Sequence, residues 1–197
     1  MTQLKFARPA IALAALLLAL TGCATETKNA GEPSASGDLG QVMSDHDLDG
    51  MDAVELIDHL DRLGGSERPT EMMASVQPDE LVLSSGGQES SLAMPDDRFY
   101  LSLAPYVDQT HECFNHSLTT CQGELTAQDV QVEVKDRTND TVLVDDTITT
   151  FDNGFVGLWL PRDIEGTIRV TFGGKSGEVD FTTDDDAATC LTTLQLV

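Results

Sequence analysis

Two thiols and two imidazoles fall within eleven residues of this chain, in the run His111-Glu112-Cys113-Phe114-Asn115-His116-Ser117-Leu118-Thr119-Thr120-Cys121, and one more thiol follows far downstream at Cys190. Thiolates and imidazoles are soft and borderline ligands that suit a thiophilic metal, copper above all. In an extended chain His111 and Cys113 share one side, whereas in a helical turn Cys113 and His116 do. Either conformation sets an imidazole beside a thiol. A neighbouring imidazolium lowers a thiol pKa and favours the thiolate, the form that binds metal and acts as nucleophile.

The same residue types admit other readings. A Cys113–Cys121 disulfide would close a short loop and contribute roughly 2 to 3 kcal/mol on the chain-entropy account. It would make the region a structural binding module, or, if the bond cycles, Cys113 and Cys121 become redox thiols of an exchange protein with Cys190 resolving. The exchange reading lacks the Cys-x-x-Cys motif and α/β pattern of thioredoxin-like enzymes. Three cysteines and a histidine also form a legitimate zinc set, although the paired short knuckles of zinc ribbons are missing.

The N-terminus says where this chemistry takes place. Lys5 and Arg8 precede an unbroken apolar run from Ala10 to Leu20, so residues 1–22 read as a secretory signal. A run this short cannot span a bilayer as a helix. Leu20-Thr21-Gly22-Cys23 resembles the lipobox of bacterial lipoproteins, in which the cysteine is acylated. Cys23 is then an anchor holding the protein at the outer face of a membrane, at the cell surface or in the periplasm. Residues 23–40, rich in Thr, Lys, Glu, Ser, Gly and Pro, form the lipidated cysteine and its flexible tether.

Removal of the signal takes away two of the eleven basic residues and none of the thirty-four acidic ones, leaving a formal charge of −25. Nothing in such a chain could neutralise a phosphate backbone, which excludes nucleic acid as a partner. Outside the cytoplasm thiols meet oxidant, yet three cysteines besides the anchor cannot all pair within one chain.

The elements that must position the cysteines read as an α+β fold. Met51, Val54, Leu56, Ile57, Leu60 and Leu63 recur at mostly helical spacing and predict a helix over residues 50–63, stopped by Gly64-Gly65. A second, shorter helix is expected after Pro69, through Met72 and Met73 and limited by Pro78. Residues 80–84 and 98–103 predict a strand pair joined by a Gly-, Ser- and Asp-rich connection. Residues 41–95 thus form a small helical region with strands. From residue 96 to 197 the pattern is mainly antiparallel and sandwich-like, with strands at 130–134, 141–144, 147–151, 155–160, 167–172, 178–181 and 190–196. Asn139-Asp140, Asp152-Asn153-Gly154, Pro161-Arg162-Asp163 and Gly173-Gly174 supply the turns.

Other motifs carry less. Asp45-His46-Asp47-Leu48-Asp49-Gly50 imitates the opening of a calcium loop, but the twelfth position is Leu56 where a bidentate Glu is needed. His46 and His59 suit a helix surface, and Met72 and Met73 suit gap-filling in a core. Neither catalytic triad, nucleotide loop nor paired catalytic carboxylates emerge.

Pro105-Tyr106, Thr110-His111, Cys113, His116 to Cys121, Gly123-Glu124-Leu125, Gly154-Phe155, Leu158-Trp159-Leu160-Pro161 and Thr189-Cys190-Leu191-Thr192-Thr193 together resemble the signature of the CueP family of periplasmic copper-resistance proteins. The resemblance covers most of residues 45–197. It implies that Cys113, Cys121 and Cys190, with His111 and His116 beside them, bind copper, and that Cu(II) is reduced to Cu(I). It also implies a copper-accepting or thiol-reducing protein partner, and a homodimer rests on that analogy alone. The lipid anchor is a departure, since the family members are soluble in the periplasm.

Overall fold

The computed structural model describes residues 39–197. The signal, Cys23 and the tether up to residue 38 lie outside the described residues. Two short helices come first, α1 (Leu39–Asp45) and α2 (Ala53–Leu60). The last residues of the expected tether, Leu39 and Gly40, therefore belong to α1. Helix α2 starts later than its hydrophobic spacing suggests because Asp52 caps it: its side chain accepts the Glu55 N–H at 2.9 Å and the Glu55 carboxylate accepts the Asp52 N–H at 3.0 Å. Leu56, Ile57 and Leu60 are buried on one face, and Asp61, four residues after Ile57, follows them into the interior.

The expected second helix is a strand instead, β1 (Met73–Val76). Pro69 and Pro78 leave too few residues for a stable helix, and Ala74 and Val76 are buried in alternation against β2 (Glu80–Ser85). The connection after β2 contains a further strand, β3 (Gln88–Ala93), which returns through Gly86-Gly87 at φ of 57° and 80°. Strand β4 (Arg98–Leu103) does not pair with β2; it belongs to another sheet.

The remaining strands are β5 (His116–Ser117), β6 (Asp129–Asp136), β7 (Thr141–Thr149), β8 (Val156–Pro161), β9 (Glu165–Phe172), β10 (Lys175–Thr182) and β11 (Cys190–Leu191). One long β7 replaces two expected strands, its register with β6 shifting between Val134 and Lys135. The closing strand is shorter than expected, continued by a bridge between Gln195 and Tyr106 and by backbone hydrogen bonds between Val197 and Ser176. Asp140, Gly154, Asp163, Gly173 and Gly174 adopt positive φ where turn residues were expected.

Three sheets result, ordered β3-β2-β1-β5, β10-β9-β6-β7 and β11-β4-β8. In the last, β4 pairs antiparallel with β8 and parallel with β11. Phe99, Leu101 and Leu103 of β4 join Val156, Leu158 and Leu160 of β8 in one core with Val130, Val132, Val134, Ile168 and Val170 of the facing sheet. Tyr100 and Trp159, on the opposite faces of the same two strands, join a second core with α2, β1 and β2. The β11-β4-β8 sheet is thus a central layer buried on both sides.

Candidate metal centre

Cys113, His116, Cys121 and Cys190 come together, with one ligand atom from each lying within 4.8 Å of the others. Among the described residues this is the one such grouping of histidine, cysteine and carboxylate side chains. The Asp45–Gly50 segment therefore forms no comparable cluster, and neither His46 nor His59 joins the site.

Two stretches of chain supply the donors, the loop from Cys113 to Cys121 and β11. Strand β11 pairs with β4 so that Cys190 stands opposite Ser102, on the β4 face that also carries Tyr100. That pairing supplies what sequence separation leaves open, namely the return of Cys190 to the cysteine loop. The N–H groups of Thr189 and Cys190 both donate to the Phe114 carbonyl, at 3.0 and 3.1 Å, and so pin the loop to β11. His116 is fixed by β5, where it pairs with Val76 of β1, and by its own N–H donating to Thr189 Oγ1 at 2.9 Å. Cys121 ends a single helical turn in which its N–H donates to the Ser117 carbonyl at 3.0 Å, while the Ser117 N–H points at the Cys121 sulfur at 3.4 Å.

Phe155, fully buried, packs its ring 4.5 Å from that of His116 and joins Ala104, Cys121 and Cys190 in a small apolar cluster against Cys113. Gly154, at φ +82°, allows the close approach that sets Phe155: a Cβ there would sit 2.7 Å from the Gly123 backbone. Cys113 is half-buried and the other three side chains are buried. A cavity of about 320 Å³ lined by Tyr106, Thr110, His111, Glu112, Cys113, Thr192 and Thr193 leads to it. His111 is exposed at this mouth, outside the four-residue group, with its ring centroid 6.3 Å from that of Phe155. The mouth loop is held by Glu124, whose carboxylate accepts the N–H groups of Val107 and Asp108 at 2.7 and 3.0 Å.

Cys113 and Cys190 are joined by a disulfide, with Cα atoms 5.7 Å apart, and Cys121 is the free thiol among the described residues. The alternative Cys113–Cys121 disulfide is not formed: those sulfurs lie 3.5 Å apart, in contact but unbonded. Loop proximity favoured Cys121 in the sequence, whereas the long-range β4–β11 pairing brings in Cys190.

Behind the site lies a carboxylate that the sequence reading passed over. Asp61 is fully buried and accepts from Tyr100 Oη at 2.5 Å, Ser102 Oγ at 3.2 Å and Asn153 Nδ2 at 2.7 Å, and its Oδ1 lies 2.7 Å from His116 Nε2. Its signal was present in the sequence as a charged residue on the apolar face of α2, at four-residue spacing from Ile57. Burial alone would raise its pKa, but the His116 charge and hydrogen bond, with those of Tyr100 and Asn153, hold it below the ordinary carboxylate value. Burial pulls the other way on His116, and the Asp61 charge and hydrogen bond overcome it, raising the imidazole to about 9. For Cys121 burial pushes the thiol up, while the His116 hydrogen bond and charge, helped by His111 and the Ser117 N–H, bring it down to about 7. Asp61 therefore acts through His116 on Cys121, keeping a thiolate available near neutral pH.

The chain resembles known proteins through most of this architecture. The sequence model of a family described as "Periplasmic copper-binding protein CueP" matches residues 55–195. A solved structure entitled "Crystal Structure of S.CueP" is similar at 40% sequence identity and a TM-score of 0.74, covering 82% of this chain and 98% of that one. A search of curated proteins finds no match. The family match takes in most of α2, the cysteine loop and β11, and with them Asp61 and all four clustered donors, so the chain belongs to the CueP family of periplasmic copper-binding proteins.

Proposed function

We propose that this protein handles copper outside the cytoplasm, holding Cu(I) with Cys113, Cys121, Cys190 and His116 and reducing Cu(II) with its own thiols. The observation that carries this reading is the convergence of three sulfurs and one imidazole within 4.8 Å, beside an apolar wall and under an open mouth. Soft thiolates favour Cu(I) over Cu(II), and few-ligand soft sites discriminate against magnesium and calcium. His111, at the mouth, is an entry ligand for incoming copper.

The electron balance is simple. Two thiolates closing into a disulfide release two electrons, and two Cu(II) ions each take one to become Cu(I). The Cys113–Cys190 bond is then the oxidised product, with the Cys121 thiolate and His116 left to retain Cu(I). A thiol reductant outside this chain restores the pair. Binding releases protons, because His116 must give up its Nδ1 proton to offer that nitrogen. Acylation of Cys23 would confine this chemistry to the membrane face and favour sequestration of copper there over delivery to a diffusing partner.

Competition for Cu(I) against a chromophoric chelator tests the reading, with free thiols counted before and after Cu(II) is added. One tightly held Cu(I) per reduced chain, and two thiols lost for two Cu(II) reduced, is the expected result. Failure to retain Cu(I) would overturn it. Tighter retention of zinc than of Cu(I) in the same competition would assign the site to zinc. A second reading is favoured by the 3.5 Å contact between the Cys121 and Cys113 sulfurs, from which Cys121 could open the disulfide in thiol exchange. Rapid exchange with a peptide disulfide, without copper affinity, would favour that reading instead.

A further inference from the structure

We propose that Asp61 is the positioning residue of the copper centre: by accepting a hydrogen bond from the Nε2–H of His116 it keeps the proton on that nitrogen and commits the imidazole to bind metal through Nδ1. The inference rests on the copper reading above and adds a residue far outside the cysteine loop.

The two nitrogens of an imidazole cannot both face the sulfurs. His116 Nε2 lies 2.7 Å from Asp61 Oδ1 at the end of α2, and Nδ1 lies 3.7 Å from Cys190 Sγ. The ring is held in this orientation by Phe155 at 4.5 Å and by the Thr189 hydroxyl on its backbone N–H. Asp61 is itself held. Asn153 Nδ2 donates to the same Oδ1 and to the Asp61 carbonyl, while Tyr100 and Ser102 donate to Oδ2.

All four side chains around Asp61 present protons, so the position calls for acceptors on both oxygens. A carboxylate meets that demand; an amide has one acceptor to offer and an aliphatic side chain none. A carboxylate on the distal nitrogen of a metal-ligating histidine fixes its tautomer and strengthens it as a ligand. The same contact makes Nε2 unavailable to metal. Asp61 touches no sulfur and acts through His116.

The test uses the full, reduced chain carrying 15N-labelled histidine, titrated with Cu(I). Nuclear magnetic resonance of the ring nitrogens reports which nitrogen bears a proton and which bears metal, the His116 signals being identified by their loss in His116→Gln. The expected result is Nδ1 shifted by Cu(I) and Nε2 still protonated. Asp61→Asn, which keeps one oxygen for the imidazole, should weaken Cu(I) binding by about tenfold, and Asp61→Leu by about a hundredfold, the range found for removing such outer partners. Cu(I) on Nε2, His116 signals that do not move when Cu(I) is bound, or both variants within twofold of the parent would overturn the role of Asp61 while leaving copper binding intact. A parent protein that binds no Cu(I) would overturn the copper reading and this inference together. If Asp61→Leu fails to fold, the parent spectra and Asp61→Asn still decide.

Discussion

The two faces of the central sheet are built from alternate residues of the same strands, yet they solve different problems. Toward the sandwich, β4 presents Phe99, Leu101 and Leu103, all fully buried among aliphatic neighbours. Toward the helices it presents Tyr100 and Ser102, both of whose hydroxyls bond one buried carboxylate. On β11, Cys190 stands beside Ser102 and so faces the second side too. The first face is non-directional: its contribution scales with apolar area, and similar shapes can replace one another. On the second face each donor needs one acceptor at one distance, and a missing partner leaves a polar group stranded in low dielectric. A strand period of two is what lets stability and site chemistry share a strand without mixing.

If the faces are separable, damage to the first should leave the metal centre working. Phe99→Ala removes a fully buried ring and should lower stability by about 3 to 5 kcal/mol, read from urea unfolding. Cu(I) affinity of the folded protein should stay within twofold of the parent. A large loss of affinity in protein still folded would break the separation.

On the second face the deletion of one oxygen should be costly. Tyr100→Phe leaves Asp61 Oδ2 with Ser102 as its remaining side-chain donor, and losing a hydrogen bond to a buried charge should cost about 1.5 to 3 kcal/mol. Stability indistinguishable from the parent would mean that the network contributes little. Cys190→Ser on the same face should leave the reduced fold nearly as stable while weakening Cu(I) binding about tenfold or more, or about 1.4 kcal/mol. Unchanged affinity in the chelator competition would remove Cys190 from the metal centre.

The two faces were also unequally legible. Val130, Val132 and Val134 announce β6 by simple alternation, and the Asp and Gly turns announce its neighbours, because local periodicity and turn chemistry decide those elements. The cysteine loop was legible by residue type. What escaped depends on long-range pairing. Strand β1 is not legible because Pro69 with Thr70-Glu71 ahead of Met72 and Met73 imitates a helix start, and its strand state is imposed by β2 and β5. The disulfide partner of Cys113 is not legible in the sequence, because the β4–β11 pairing that brings Cys190 to it spans most of the sheet-forming chain. Asp61 went unread because a lone carboxylate gains meaning only when His116, Tyr100 and Asn153 converge on it from distant strands and turns.

The smallest expected effect concerns pH in the disulfide-bonded form, where the polar face should carry two opposing slopes. His116 is raised to about 9, so the stability it contributes is complete below its ordinary value of 6.5 and is lost as pH rises through 9. Cys121 is lowered to about 7 from an ordinary 9, so its contribution is complete above 9 and is lost as pH falls through 7. Between pH 7 and 9 the folded protein holds a proton on His116 that the unfolded chain has released, and lacks one on Cys121 that the unfolded chain retains. The slopes oppose each other and the parent's urea midpoint should be nearly flat across this window. Cys121→Ser removes the rising component, so its midpoint should fall as pH goes from 7 to 9. A flat profile in that variant would show that His116 carries no excess proton in the folded state, and the buried Asp61–His116 pair would then be a neutral hydrogen bond.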